Sequence, residues 1–250
     1  MSRCWLTGAS SGLGAALAQA LLEQGHQVAL GGRRSQALLP LAERYPGQVL
    51  LAEDDIADAA QVAQMAARIE QAWGGLDMAV FNAGTCEYLE PGHFDPALVE
   101  RVVRTNLLGV SNCLAAALPL LRAGVRPHLV VVGSSVTWLA LPRAGAYGAS
   151  KAAVRYLVES QRIDLAREGI DVTLVSPGFV DTPLTRRNDF PMPQLWSAER
   201  AAQHIAKRLP RRPLEINFPS LFTWGLRVLG ALPPRLRLAL GLRLARHEQD

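Results

Sequence analysis

Tyr147-Gly148-Ala149-Ser150-Lys151 sets a phenol and an ammonium four residues apart, so a helix through this segment holds both on one face. A cation beside a phenol favours the phenolate and lowers its pKa from about 10 toward the working pH, as proton transfer to or from a substrate oxygen requires. Lys151 is one of only two lysines, with Lys207, in a chain that otherwise uses arginine. Arginine would serve equally well as a solvated charge, so lysine here points to a specific use. Taken alone, the pair is also compatible with an ordinary surface contact.

A second group of residues offers an anion site. Thr7-Gly8-Ala9-Ser10-Ser11-Gly12-Leu13-Gly14 follows a short apolar run and enters a helical pattern. A strand-to-helix turn poor in Cβ atoms lets backbone approach a pyrophosphate, and the helix start offers unpaired N–H groups and a positive dipole end. The glycines are spaced G-x-x-x-G-x-G, a departure from the G-x-G-x-x-G dinucleotide fingerprint. About 20 residues further on, NAD-binding units place an acid for the ribose 2′-hydroxyl; this chain has Leu30-Gly31-Gly32-Arg33-Arg34 and no carboxylate. The guanidinium groups of Arg33 and Arg34 suit the 2′-phosphate of NADP(H).

Positioning these groups requires a regular frame. Short apolar segments near Ser2–Leu6, Gln27–Leu30, Gln48–Ala52, Met78–Phe81, His128–Val132, Asp171–Val175 and Glu215–Phe218 alternate with helical patterns, which predicts a Rossmann-type, doubly wound α/β fold: a parallel sheet of about seven strands with helices on both faces. Leu13, Leu17, Ala20 and Leu21 recur at helical spacing before Gly25; Asp58 and Asp95 cap helices running to about Ala72 and Leu121; Tyr147–Arg167 is another, closed by Gly169. A shorter helix near Leu38–Arg44 takes Pro40 in its first turn. Residues 1–220 read as one catalytic domain and residues 221–250 as a basic, leucine-rich extension.

With the order and spacing of further motifs, the chain resembles the short-chain dehydrogenase/reductase family in its compact single-domain form, over about residues 3 to 218. Asp55-Ile56 resembles the family's adenine contact. Phe81-Asn82-Ala83-Gly84 resembles N-N-A-G, with Phe81 in place of the first asparagine, and leaves Asn82, Ala83 and Gly84 to line the cofactor. Asn106 matches the helix asparagine of a proton relay through water and lysine. Pro177-Gly178-Phe179-Val180-Asp181-Thr182 resembles the segment whose Val180 backbone and Thr182 hold the nicotinamide carboxamide.

The resemblance implies cofactor contacts at Gly8, Ser10, Ser11, Gly12, Leu13, Gly14, Arg33, Arg34, Asp55, Ile56, Asn82, Ala83, Gly84, Tyr147, Lys151, Pro177, Gly178, Val180 and Thr182, and a catalytic set of Asn106, a serine, Tyr147 and Lys151. Ser134 has the family's usual spacing to Tyr147 and is taken as that serine; Ser135, whose Ser135-Val136 resembles the common S-S-V ending, is the alternative. The implied reaction is hydride transfer between nicotinamide and a carbonyl or alcohol carbon, Tyr147 moving the proton and the serine stabilising the oxygen. A non-catalytic NADP(H)-binding redox sensor or scaffold is the alternative; it needs the glycine loop but not Asn106, Ser134, Tyr147 and Lys151 together.

Composition bounds the remaining classes. The 250 residues are 49% hydrophobic and 19% charged, with a net charge of +4, which excludes a disordered or collagen-like chain. Apolar runs stop short of a bilayer span, and Met1-Ser2-Arg3-Cys4-Trp5-Leu6 carries no signal-peptide core, so a cytoplasmic location is expected. Cys4, Cys86 and Cys113 are too dispersed for a disulfide framework, and His26, His93, His128, His204 and His247 show no paired ligand spacing, so no metal is expected.

From residue 201 onward nine Lys/Arg oppose three Asp/Glu, without the zinc-finger spacing or interleaved aromatics of a nucleic-acid reader. Tyr88, Leu89, Trp138, Leu139, Leu141, Leu184, Phe190, Met192 and Trp196 are candidate walls of an apolar substrate pocket. The extension, read as helical, has three candidate uses: a pocket cover, a subunit contact and a membrane-surface segment, with packing placed ahead of membrane contact. A homodimer or homotetramer is expected.

Overall fold

Seven short apolar segments form one parallel sheet in the computed structural model, which describes residues 1–52 and 54–246. The first part of the chain runs β1 (Arg3–Thr7), α1 (Gly12–Glu23), β2 (Gln27–Gly31), α2 (Leu39–Arg44), β3 (Val49–Ala52), α3 (Ala59–Trp73) and β4 (Met78–Phe81). There follow α4 (Pro96–Val103), α5 (Gly109–Arg122), β5 (His128–Val132), α6 (Gly145–Ala166) and β6 (Asp171–Pro177). The last part comprises a short strand pair, β7 (Val180–Asp181) and β8 (Trp196–Ser197), then α7 (Ala198–Ala206), β9 (Glu215–Phe218), α8 (Ser220–Gly230) and α9 (Pro234–Arg246).

The strand order is β3-β2-β1-β4-β5-β6-β9, the doubly wound arrangement expected. Alternation along each strand divides the core in two. Cys4, Leu6, Val28, Leu30, Val80 and Val130 face one layer with α1 and α7. Trp5, Ala29, Ala79, Phe81, Leu129 and Val131 face the other with α3, α5 and α6. Because helices cover both faces, both sets of side chains must be apolar, and the strands read as continuous hydrophobic runs. Between β1 and β4 the winding reverses direction, opening a crevice at the carboxyl ends of the strands.

The caps act as read. Asp58 accepts hydrogen bonds from the Ala60 and Gln61 amides, and Asp95 from the Ala97 amide. The single helix expected from Asp95 to Leu121 is instead two, α4 and α5, joined by a π-helical turn at Arg104–Leu108. β6 runs on to Pro177, two residues past its expected end, because Ser176 and Pro177 still pair with Asn217 and Phe218. The extension is helical, with Pro234 opening α9.

At the opposite end of the sheet Asp77 ties three elements together. Its carboxylate accepts from the Arg3 amide at 2.8 Å, the Arg3 guanidinium at 2.8 and 3.2 Å, and the Val125 amide at 2.9 Å. Burial alone would raise its pKa, but these hydrogen bonds, chiefly from Arg3, hold the carboxyl down at about 2. A depressed carboxylate contributes stability above its unfolded pKa and loses it as pH falls through the folded value. Asp77→Ala should therefore cost about 2–3 kcal/mol at neutral pH, the low end for a buried pair because Arg3 keeps some solvent contact. Denaturant unfolding that finds the variant as stable as the native chain would remove Asp77 from this role.

Candidate active site

The crevice holds a cleft of about 260 Å³. One wall is the turn after β1. Gly8 has φ +68°, and a Cβ there would lie 2.6 Å from Ala83 Cα; a Cβ on Gly14 would lie 2.0 Å from the Gly8 carbonyl oxygen. Neither position accepts a side chain, which fixes how tightly the turn folds onto α1. Ser11 precedes α1 without capping it through its side chain, leaving the first-turn amides for an anion. The turn is held by its neighbour: Thr7 Oγ1 accepts from the Asn82 and Ala83 amides at 3.1 and 3.2 Å, and Asn82 Nδ2 donates to the Thr7 and Gly8 carbonyls. Across the cleft Thr182 closes on Gly12, where a Cβ would meet Thr182 at 2.9 Å.

Ser10, Leu13, Arg33, Arg34, Asp55, Ile56 and Gly84 line the same cleft, as do Pro177, Gly178 and Val180. Arg33 and Arg34 are exposed and enter none of the ion pairs found among the described residues. Asp55 Oδ1 accepts from the Ala57 amide at 3.0 Å, while Ile56 is buried against Gly109. Glycine cradle, uncapped helix start and paired guanidiniums together fit a dinucleotide carrying an extra phosphate.

At the other end lie the residues expected to handle the proton. The π-helical turn adds a residue and swings Asn106 into the interior, where it is fully buried. Its Nδ2 donates to the Thr85 carbonyl and Ser150 Oγ, both at 2.9 Å, and its Oδ1 accepts from the Thr85 amide at 2.8 Å. Ser150 Oγ in turn donates to the Tyr147 carbonyl at 2.8 Å. Lys151 Nζ donates to the Val132 carbonyl at the end of β5 at 2.9 Å, one turn of α6 from Tyr147.

Ser134 lines the cleft together with Tyr147, and its hydroxyl opposes the rise in the phenol's pKa. Its Oγ also accepts from the Val136 amide at 3.2 Å, which orients it. Ser135 is buried at the start of the following turn, outside the cleft lining. The two serines thus separate as the alternation of an extended chain dictates.

Electrostatics depart from the expectation for the Tyr147–Lys151 pair. Burial pushes the phenol up to about 12, with the Cys86 sulfur adding and the Ser134 hydroxyl opposing. Burial also pushes Lys151 down to about 8. Burial leads both shifts and disfavours the phenolate and the ammonium alike.

Tyr88 packs edge-on against Phe190 at 5.5 Å, and Phe190 and Phe222 flank Phe179 at 6.1 and 5.6 Å. Leu184 lines the cleft. Trp196 does not serve as a pocket wall: it stacks on Phe218 at 5.1 Å beside His204 and belongs to the core layer with α7. Of the expected walls only Leu184 is in the cleft lining itself; Tyr88 and Phe190 form a separate aromatic cluster with Phe179 and Phe222, which come from an irregular segment and from the extension, where no periodicity marks a buried face. His128 bonds Thr173 at 2.8 Å, and His247 lies outside the described residues.

A family model described as short chain dehydrogenase matches residues 3–191. The chain belongs to the short-chain dehydrogenase family. An uncharacterized oxidoreductase of Myxococcus xanthus is 36% identical over 242 residues, covering 96% of each chain. An alcohol dehydrogenase from the archaeon Thermococcus sibiricus, complexed with 5-hydroxy-NADP, superposes with TM-score 0.79 at 26% identity, covering 89% of this chain and 97% of that one. The Pseudomonas aeruginosa RhlG/NADP active-site complex superposes with TM-score 0.80 at 26% identity, covering 88% and 96%.

Two features of this short-chain dehydrogenase stand out from the motif pattern. Phe81, standing where the family pattern has asparagine, is buried edge-on against Trp5 at 6.1 Å, so packing replaces a polar contact. Asp54 was missed by motif reading, although the doubled acid at Asp54-Asp55 marks one of the two as inward-facing. It is buried at the end of β3 beside Gly31, with neither carboxylate oxygen in a well-aligned hydrogen bond. Burial, then the Asp55 charge, raises its pKa to about 6, with the Gly32 amide opposing.

A raised carboxyl favours the fold while protonated, and that contribution is lost as pH climbs through the folded value. Asp54→Asn should accordingly leave stability little changed at about pH 4 and raise it at about pH 8, by up to about 3 kcal/mol. Melting curves of the apo-protein with no pH-dependent difference between variant and native would contradict this ionisation.

Proposed function

We propose that this short-chain dehydrogenase is an NADP(H)-dependent oxidoreductase interconverting a carbonyl and a secondary alcohol on a lipophilic substrate. The observation carrying the proposal is the continuity of one cleft, with Arg33 and Arg34 at one end and Ser134, Tyr147 and Lys151 at the other. When bound, the nicotinamide supplies or accepts the hydride at the substrate carbon. Tyr147 Oη, protonated, gives its proton to the substrate oxygen in the reducing direction and takes it back in the other. Ser134, fixed by the Val136 amide, donates to the same oxygen as charge develops, a bond strongest in the transition state.

Lys151 and Asn106 hold the tyrosine helix and its proton path, and Lys151 lies where it can grip the nicotinamide ribose. Gly8, Ser10, Ser11, Gly12, Leu13, Gly14, Asn82, Ala83 and Gly84 take the pyrophosphate side; Asp55 and Ile56 take the adenine; Pro177, Gly178, Val180 and Thr182 take the carboxamide. The Thermococcus and Pseudomonas complexes with NADP-type ligands support the choice of cofactor. The aromatic group of Tyr88, Phe179, Phe190 and Phe222 supports an apolar substrate. A sensor or scaffold would have no use for the whole proton-handling set.

Among the described residues no helix is long and apolar enough to cross a membrane, and a cytoplasmic location is part of the proposal. So is a homodimer or homotetramer, supported by Tyr156 and Ile163 exposed on α6.

A panel of ketones, aldehydes and secondary alcohols, followed by the absorbance of reduced nicotinamide, tests the activity. On the best substrate, Tyr147→Phe should nearly abolish kcat while leaving cofactor affinity in place. Ser134→Ala should lower kcat roughly 10²–10³-fold and Ser135→Ala should not; the reverse order would exchange the two serines. Arg33→Ala should weaken NADP(H) binding by about 1.5–3 kcal/mol and NAD(H) binding far less. Equal affinity of the native protein for both cofactors would overturn the phosphate assignment.

A further inference from the structure

α8, after β9, turns one side to the body and leaves another uncovered among the described residues, and α9 beyond it is largely exposed. On α8 the inner side is tightly fitted: a Cβ on Gly230 would lie 1.9 Å from the Trp138 carbonyl oxygen, Phe222 meets Phe179, and Thr223 and Leu226 are buried. The outer side carries Leu221, Trp224 and Val228 at i, i+3 and i+7, one stripe of a helix, with Leu221 71% and Trp224 64% exposed. Beyond Pro233, α9 exposes Leu236, Leu238 and Leu242, each more than half, around its circumference and interleaved with arginines. Monomeric soluble proteins rarely leave apolar surface of this extent uncovered.

Charge selects the occupant. No Asp or Glu occurs between Ile216 and Arg246, and Arg235, Arg237 and Arg243 are exposed on α9. Two copies paired through this face about a two-fold axis would set the arginines against themselves. An anionic bilayer surface supplies the opposite charge, accepts leucine and tryptophan at the headgroup boundary, and lets arginine stems lie along the apolar layer.

We propose that α8 and α9 form a peripheral docking surface for an anionic lipid bilayer. Gly178, in the wall of the cleft, packs on Phe222 of the docking helix, so docking brings the cleft beside the lipid. Delivery of a lipophilic substrate by that route rests on the proposed function; docking itself does not, and is measured without substrate or cofactor.

The test is flotation of the full chain with phosphatidylcholine vesicles and with phosphatidylcholine vesicles containing phosphatidylglycerol. The protein should float with the anionic vesicles only, and less as salt is raised. Changing Arg235, Arg237 and Arg243 together to alanine should weaken partitioning on the order of a hundredfold. Trp224→Ser should weaken it too, with the thermal melt unchanged in both variants. The salt titration on the native chain stands even if a variant folds poorly. Absence of flotation with anionic vesicles overturns the proposal, as does equal partitioning of the arginine variant. So would Trp224→Ser splitting a sedimenting dimer without affecting partitioning, which would give the face to a second copy.

Discussion

The loops after β1 and β4 lie against each other because Thr7 and Asn82 exchange hydrogen bonds across the point where the sheet reverses its winding. Most of the cleft depends on that contact. It lets Gly8 sit on Ala83 at a separation no side chain would allow, which aims the start of α1 into the crevice, and it fixes the segment from Gly84 to Thr85 on which Asn106 closes. Thr7 is buried, and each of its hydroxyl bonds is made in low dielectric, where a lost partner is costly. The positions of the two neighbouring strands are set elsewhere, by the Arg3–Asp77 network at the far end of the sheet, so the cleft is assembled from one rigid edge.

At the reacting end the governing effect is desolvation. Lys151 is buried and Tyr147 half-buried at the cleft, and burial favours neither charged form. The expected pairing of ammonium with phenolate is therefore not what sets the resting state. The Ser134 hydroxyl is the group that opposes the upward shift of the phenol.

The seven strands and the two helix layers were legible because buried parallel strands and amphipathic helices leave periodic patterns, and Asp58 and Asp95 mark their helix starts through the chemistry of the cap. The glycine loop and the Tyr147–Lys151 spacing were legible for the same reason: geometry forces the residue type. The π-helical turn around Asn106 left no such mark, since one inserted residue barely changes hydrophobic spacing. Asp54 was hidden beside Asp55 because composition does not tell which of two adjacent acids points inward. Trp196 was misplaced because an aromatic residue in an irregular segment packs as readily into a core layer as into a pocket, and here Phe218 and His204 claim it.

The central claim is that Tyr147 and Ser134 face the reactive edge of a nicotinamide held in one orientation by this cleft. Single-turnover reduction with NADPH deuterated at either face of C4, followed by mass spectrometry of the alcohol, measures it directly. The account predicts deuterium on the carbinol carbon from one face only, since the cleft presents the ring to the substrate from one side. Product without deuterium from either cofactor, or with deuterium from both, would contradict it.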